Sequence, residues 1–406
     1  MKIVIFSPYE QPYAQTSRNF DFATRLVSRG HDVVVFTNNF CHRTRRRIHE
    51  TGDLGMHSVM GFKGTKVVWL NSRPYNDNGI GRAWNALSFV WLALTSARRE
   101  IGSPDVVVAD SVPPTAGLVG WAVAQVCQAS FIYQIRDVWP IALVYDGALT
   151  KASPIYWILR VIERFLYKRS DSICSSLRNV SGHIESSGAD PRKVVWIPNG
   201  VDLDRFPVPS PPKRGGCEVG GEQYDLKVVY TGGYGNAHDV LSIVKAASIT
   251  WKSGYRFLFE LYGDGVKRAG CEDFARHEVV DNVRFFDSVP RESVPDVLST
   301  ADVLVAAVTD SDAYQFGLNL NKLYDYFASA RPVVLSCRAV EDPVRDSGCG
   351  FTVTPECPQE MAAALVRLHA LGAVGRAELG AKARWFAEKH YDVNRLVDVY
   401  EEMITR

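Results

Sequence analysis

No two cysteines of this 406-residue chain form a Cys-x-x-Cys pair, and none stands with a histidine at zinc-finger spacing. Several of the eight sit in apolar runs, as Cys127 does in AVAQVCQA, where a small core residue is the simpler reading. A reducing cytosol fits that pattern. An excess of charge is also missing: 46 Lys and Arg face 45 Asp and Glu, so no global field draws the chain to nucleic acid. Attraction to an anionic surface would have to come from local patches. The opening MKIVIFSPY turns polar too quickly for a signal peptide. Residues Ser111 to Ile135 carry no charged side chain and approach the length of a membrane span. Pro113 and Pro114 open that stretch and Gln125, Gln128 and Gln134 interrupt it, so a buried helix followed by a buried strand is expected. No Gly-x-Gly-x-x-Gly follows the first strand, where Ser7-Pro8-Tyr9 stands, which argues against a dehydrogenase.

What is present is one alternation of strands and helices, written twice. The hydrophobic share of 46% is ordinary for a folded protein, and the length suits two domains. Val/Ile-rich runs at residues 2–6, 31–36, 66–70, 105–109, 130–135, 172–174 and 194–197 predict strands, most of them separated by helices. Such runs indicate a parallel sheet covered on both faces. The alternation restarts at 226–230 and continues through 257–262, 283–285, 303–306, 332–335 and 350–353, then helices at 359–371, 376–388 and 393–405. Between the halves, PNGVDLDRFPVPSPPKRGG has no periodicity and reads as a linker. The expected organisation is an α/β chain of two doubly wound domains, 1–205 and 226–392, joined by a linker at 206–225. A deep cleft at the carboxyl ends of both sheets follows, and the helix from 393 is expected to pack back on the first domain.

Two segments carry the candidate chemistry. In Val229-Tyr-Thr-Gly-Gly-Tyr-Gly-Asn-Ala-His, a strand ends at Tyr230, glycines free the backbone, and a helix is expected to start near His238. That arrangement either offers backbone N–H groups to a phosphate or is a plain glycine-rich connection. In Tyr314-Gln-Phe-Gly-Leu-Asn-Leu-Asn-Lys-Leu-Tyr-Asp, a helix is expected from Asn321, with Lys322 at its start and Asp325 on the same face. Lys322 is placed to meet a diphosphate and Asp325 to accept from ribose hydroxyls. The other reading is a helix-face ion pair between them, worth about 0.3–0.5 kcal/mol. Asp302, Asp310 and Asp312 lie close in sequence, but across a strand and a loop, and solvated charge is the simpler reading. His31 and His390, beside a helix end and an aromatic, read as structural.

Six segments together resemble the retaining family-four glycosyltransferases of GT-B fold, and within them the enzymes of O-chain, capsule and exopolysaccharide synthesis such as L-fucosamine transferase-like proteins. They are Ser17-Arg18 through Gly30-His31-x-Val33, Arg136-Asp-Val-Trp-Pro140, Ile197-Pro-Asn-Gly-Val-Asp202, the Gly232–Asn236 loop, Tyr262-Gly-Asp-Gly265 and Asn321-Lys-Leu-Tyr-Asp-Tyr326. The resemblance implies a nucleotide sugar, a UDP-sugar by preference, as donor and a polyprenyl-diphosphate-linked or lipid A-core saccharide as acceptor, with no cofactor and no metal. It assigns Gly233, Gly235 and Asn236 to the donor diphosphate, with Lys322 neutralising it, and Asp325 to the ribose. Gly263 and Asp264 would border the base, and Arg136 and Asp137 would face the acceptor.

Three departures stand out. The position eight before Asp325 is Gly317, so the first acidic residue of the family motif is missing, and Asn319, counted with Asn321 among the donor-binding residues, or the backbone of the 317–321 loop would have to replace it. Ile141 stands where relatives carry a glutamate, and the loop Tyr13–Thr16 lacks their glycines. A sugar-nucleotide epimerase or a non-catalytic subunit of a polysaccharide-assembly complex are the alternatives of the same fold. Finally, WNALSFVWLALTSARR (84–99) and IYWILRVIERFLYKR (155–169) are apolar helices with basic ends, and Arg43 to Arg47 is a basic cluster. They either pack under the sheet or dock on an anionic membrane, which would make a cytoplasmic protein peripheral.

Overall fold

The computed structural model describes residues 1–12, 17–42, 44–49, 55–76, 79–207, 216–278 and 281–406. The loop 13–16, Arg43 and the linker stretch 208–215 lie outside the described residues. Two compact units result: Met1–Asn199 with Val393–Arg406, and Gly200–Asp392. The division falls before Gly200 rather than after residue 205. Val201 pairs with Asp392 and its N–H donates to the Tyr391 carbonyl at 2.8 Å, which ties the start of the second unit to its end.

In the first unit the chain runs β1 (Lys2–Phe6), α1 (Arg18–Ser28), β2 (Asp32–Asn38), β3 (Phe40–Cys41), β4 (Arg46–Arg47), β5 (His57–Phe62) and β6 (Thr65–Leu70). It continues through α2 (Ile80–Glu100), β7 (Val106–Asp110), α3 (Pro114–Cys127), β8 (Ser130–Ile135), α4 (Ile141–Tyr145), α5 (Pro154–Arg169), β9 (Ser172–Ser175), α6 (Ser181–Ser186) and β10 (Val194–Trp196). The main sheet has the order β10-β9-β8-β7-β1-β2-β6-β5. Its pairs are parallel except β5 on β6. The edge strand β5 was not expected, because Val59, Met60 and their neighbours are largely exposed and give no buried run. The uncharged stretch from Ser111 folds as α3 and β8, and no helix among the described residues is long and apolar enough to cross a membrane.

The second unit opens with β11 (Cys217–Val219) and β12 (Glu222–Tyr224), an antiparallel hairpin inside the stretch expected to be structureless linker. Its turn, Gly220-Gly221, has φ of 66° and 85°, the left-handed pair that closes a two-residue hairpin. Then follow β13 (Leu226–Thr231), α7 (Val240–Lys252), β14 (Phe257–Tyr262), α8 (Arg268–His277), β15 (Val283–Phe286), α9 (Val294–Ser299) and β16 (Val303–Ala307). The unit ends with α10 (Asn321–Ala328), β17 (Val333–Ser336), α11 (Pro343–Ser347), β18 (Gly350–Val353), α12 (Pro358–Ala370) and α13 (Gly372–His390). Its sheet, β15-β14-β13-β16-β17-β18, is parallel throughout.

The last helix, α14 (Val393–Ile404), belongs to the first unit. Val393, Leu396, Val397, Tyr400, Met403 and Ile404 bury one face of it in the core formed with β1, β2, β7 and α1. Tyr400 meets Phe22 edge to face at 5.3 Å. At the far end of α1, Arg29 reaches Asp398 at 2.6 Å and Glu401 at 2.5 Å, and His31 reaches Glu401 at 2.8 Å.

Candidate functional site

In the second unit the candidate residues gather where β13, β14 and β16 end, because loops that leave parallel strands all leave at the carboxyl edge. Tyr326 of α10 fixes that edge from below. Its hydroxyl accepts from the Thr231 N–H at 2.8 Å and donates to the Val305 carbonyl at 3.2 Å, joining the ends of β13 and β16. One turn earlier on the same helix, the Lys322 ammonium donates to the Tyr230 hydroxyl at 2.8 Å and lies 4.1 Å over the Tyr230 ring. Tyr230 in turn donates to the Gly233 carbonyl at 2.7 Å. Lys322 therefore makes no ion pair with Asp325 or with any other carboxylate among the described residues. Burial without a counter-charge lowers its pKa to about 7.

The Gly232–Asn236 loop is held against the Gly263–Gly265 turn. The Gly232 N–H donates to the Tyr262 carbonyl at 2.9 Å and the Tyr234 N–H to the Asp264 carbonyl at 2.9 Å. The intervening N–H groups of Gly233, Gly235 and Asn236 have no acceptor among the described residues. A Cβ on Gly263 would lie 1.8 Å from the Gly232 carbonyl oxygen, and one on Gly265 would lie 2.8 Å from Tyr234 backbone atoms. Packing between two backbone segments thus accounts for both glycines without a ligand. Asp264 is exposed and its carboxylate accepts from the Gly265 N–H at 2.7 Å.

One expectation changes here. The helix after the loop begins at Val240, two residues past His238, but Asp239 caps it by accepting from the Ser242 N–H at 3.3 Å. A carboxylate already occupies that helix start, so the free amides belong to the loop. His238 lies beside them, with its imidazole carbon 3.9 Å from where Gly233 and Gly235 would carry a Cβ. Burial, then Lys322 and Lys267, lower its pKa to about 3, which keeps it neutral. Lys267 donates to the Asn236 carbonyl at 3.0 Å. The result is a run of unengaged amide donors with Lys322 and Lys267 beside it, a donor set that suits an anion with several oxygens.

Asn319 and Asn321 flank the start of α10 together with Lys322. The Asn319 side-chain oxygen accepts from the Tyr324 hydroxyl at 2.8 Å. Gly317 adopts φ 121°, ψ 169°, a conformation reserved in practice for glycine, so a carboxylate side chain there would strain the loop. Asp302 and Asp310 are engaged elsewhere, with Arg376 at 3.5 Å and Arg338 at 2.8 Å.

In the first unit, Arg136 follows the end of β8 and its guanidinium is ion-paired with buried Glu10. Asp137 is exposed. Behind them lies a buried polar network absent from the expected site. Asp110, closing β7, accepts from Ser7 at 2.5 Å, Asn19 at 3.1 Å and Gln134 at 2.5 Å, and Glu10 accepts from the Asn19 N–H at 2.7 Å. The signal was in the sequence: Asp110 closes the apolar run DVVVA, where a carboxylate has to be satisfied by neighbouring strand ends. Nearby, Arg82 lies 5.4 Å from the Tyr9 ring and 5.7 Å from the Trp139 ring.

Two family models match the chain, one to each sheet. The glycosyl transferase 4-like domain covers residues 17–200, and glycosyl transferases group 1 covers residues 225–370. The chain belongs to the family-4-like glycosyltransferases. It is 23% identical over 321 residues to Probable glycosyltransferase WbjE of Pseudomonas aeruginosa, spanning 76% of this chain and 77% of that one. Among solved structures it is similar to a sucrose-phosphate synthase from Thermosynechococcus elongatus, with TM-score 0.75 at 15% identity over 100% of this chain and 99% of that one. It is also similar to HepE of Anabaena in complex with UDP and glucose, with TM-score 0.67 at 13% identity and the same coverage. At such identities the likeness shows the fold, which is GT-B: this glycosyltransferase is built of two parallel-sheet domains.

Proposed function

We propose that this glycosyltransferase takes its sugar from a nucleoside-diphosphate donor, a UDP-sugar, bound on the second unit, and passes it to a lipid-linked saccharide in surface-polysaccharide synthesis. The observation that carries this reading is the Lys322 ammonium, with no carboxylate partner among the described residues, above a loop whose Gly233, Gly235 and Asn236 amides are unengaged. A diphosphate satisfies both, because it brings the counter-charge that Lys322 lacks and the acceptors that the loop lacks. HepE, of the same fold, holds UDP and glucose. The acceptor class rests on the sequence resemblance to enzymes of O-chain, capsule and exopolysaccharide synthesis.

In this reading Lys322 and the loop amides stabilise the charge that grows on the departing diphosphate, and no side chain acts as nucleophile. A diphosphate oxygen takes the acceptor proton on the face the sugar leaves, so the anomeric configuration is retained. Asp325 accepts from the ribose, and Asn319, Asn321 or the 317–321 backbone holds the sugar hydroxyls. Arg136, steadied by Glu10, and Asp137 serve the acceptor.

Calorimetry with UDP, GDP and dTDP tests the donor site. UDP is expected to bind in the micromolar range, and Lys322→Ala to weaken it by about 10- to 150-fold, the value of about 1.5–3 kcal/mol for a charged hydrogen bond. Asp325→Ala is expected to weaken it less. Failure of all three nucleotides would leave a non-catalytic subunit as the better reading. Metal independence has its own check: turnover of the donor in excess EDTA should equal turnover in magnesium, and a loss restored by magnesium would refute it.

A further inference from the structure

The helix layer of α2, α3 and α5 on the first unit leaves apolar side chains in solvent that its core does not need. On α2 the inner face is buried through Ala86, Phe89, Leu92 and Ala93. Its outer face carries Trp84, Leu87, Trp91 and Leu94, which are 41–59% exposed. On α5, Leu166 and Tyr167 are buried, while Ile155, Trp157, Ile158 and Val161 are 58–65% exposed. Both helices pack against α3, which has no charged residue and exposes Val126. Packing under the sheet, one of the two alternatives left open by the sequence, accounts for the inner faces of both helices and leaves their outer faces uncovered among the described residues.

Charge selects the occupant. The spacing 84, 87, 91, 94, 98 carries the α2 stripe into Arg98, and 157, 161, 164, 168 carries the α5 stripe into Arg164 and Lys168. Arg98, Arg99, Arg164, Lys168 and Arg169 are exposed and have no carboxylate partner among the described residues. The layer has only two carboxylates. Glu100 is held by Lys66 at 2.9 Å and His57 at 3.0 Å, and buried Glu163 by Arg160 and by His183 at 2.7 Å. A protein partner would meet uncompensated cations. A sheet of anionic headgroups over hydrocarbon meets apolar stripes with tryptophans and cationic ends together.

We infer that the outer faces of α2 and α5 form a docking surface for an anionic lipid bilayer, with Trp84, Trp91 and Trp157 entering the interface and the basic helix ends resting on headgroups. The Arg43–Arg47 cluster is not needed for it, and Arg45 there covers the Tyr75 ring at 4.7 Å. The surface belongs to the first unit and the donor residues to the second, so the two readings fail separately.

Flotation of the full chain with vesicles of phosphatidylcholine, alone or with about one third phosphatidylglycerol, tests the inference. The wild type should float with the anionic vesicles and lose most of that binding in high salt. A Trp84→Ser, Trp91→Ser, Trp157→Ser variant should bind roughly tenfold or more weakly, because three interfacial anchors are gone. Changing Arg98, Arg99, Lys168 and Arg169 to Gln should remove the preference for phosphatidylglycerol. All substituted side chains are exposed, and UDP calorimetry on each variant controls for folding and for the donor site. Equal binding by wild type and variants, or none by the wild type, would overturn the inference. So would sedimentation showing a wild-type dimer that the tryptophan variant lacks, since that assigns the face to a second copy.

Discussion

Lys322 is a base held where its charge is costly. With a pKa near 7 in the free protein, it is about half protonated at neutral pH and largely neutral two units higher. On the proposed reading a bound diphosphate restores the proton, so binding should take up as much as one proton between pH 7 and about 9, and affinity should fall as pH rises across that window by up to about tenfold per unit. Calorimetry in buffers of differing ionisation heat reads the uptake directly. Lys322→Arg removes the titration and should leave a flat profile. If its profile keeps the wild-type slope, another group carries the proton. The lysine itself was legible in the sequence, because its position in the Asn321–Tyr326 segment marked it. Its partner Tyr230 was not, since a strand-end tyrosine gives no sign of which way its hydroxyl points.

At the scale of elements, the carboxyl edge of the second sheet depends on two backbone segments touching. Gly263→Ala would drive a Cβ into the Gly232 carbonyl at φ 149°, where neither partner has a flexible side chain to move. A loss on the order of 3 kcal/mol is expected, read from urea unfolding, together with the loss of UDP binding. Gly235→Ala is the contrasting case. Its nearest neighbour is the His238 ring at 3.9 Å, so stability should change little and any fall in UDP affinity reports a ligand kept at a distance. Strands buried on both faces announced themselves as Val/Ile runs, and nearly all lie where the sequence placed them. What escaped was half-exposed or polar: β5, the hairpin at Gly220-Gly221, and the buried network around Asp110. Their stabilisation comes from turn geometry and from partners distant in sequence, neither of which leaves a periodic pattern.

For the whole molecule, the helix α14 decides whether the first unit has a closed core. Six buried side chains contribute on the order of 10 kcal/mol before the entropy of ordering the helix is subtracted. Removing residues 393–406 should therefore lower the melting temperature of the first unit by well over 10 °C, while the UDP-stabilised transition of the second unit persists. Calorimetric scans with and without UDP separate the two. An unchanged first transition would mean that α14 only decorates the core.

That return has a consequence for biosynthesis. While the ribosome is still adding the second unit, Phe22 and the β1–β2–β7 face of the first already exist but lack the residues that cover them. The amino-terminal half must wait, apolar surface open, until residues 393–404 emerge, so its folding is completed only after the second unit has been made. A stop codon just before residue 393 should then be as damaging to solubility as one near residue 200.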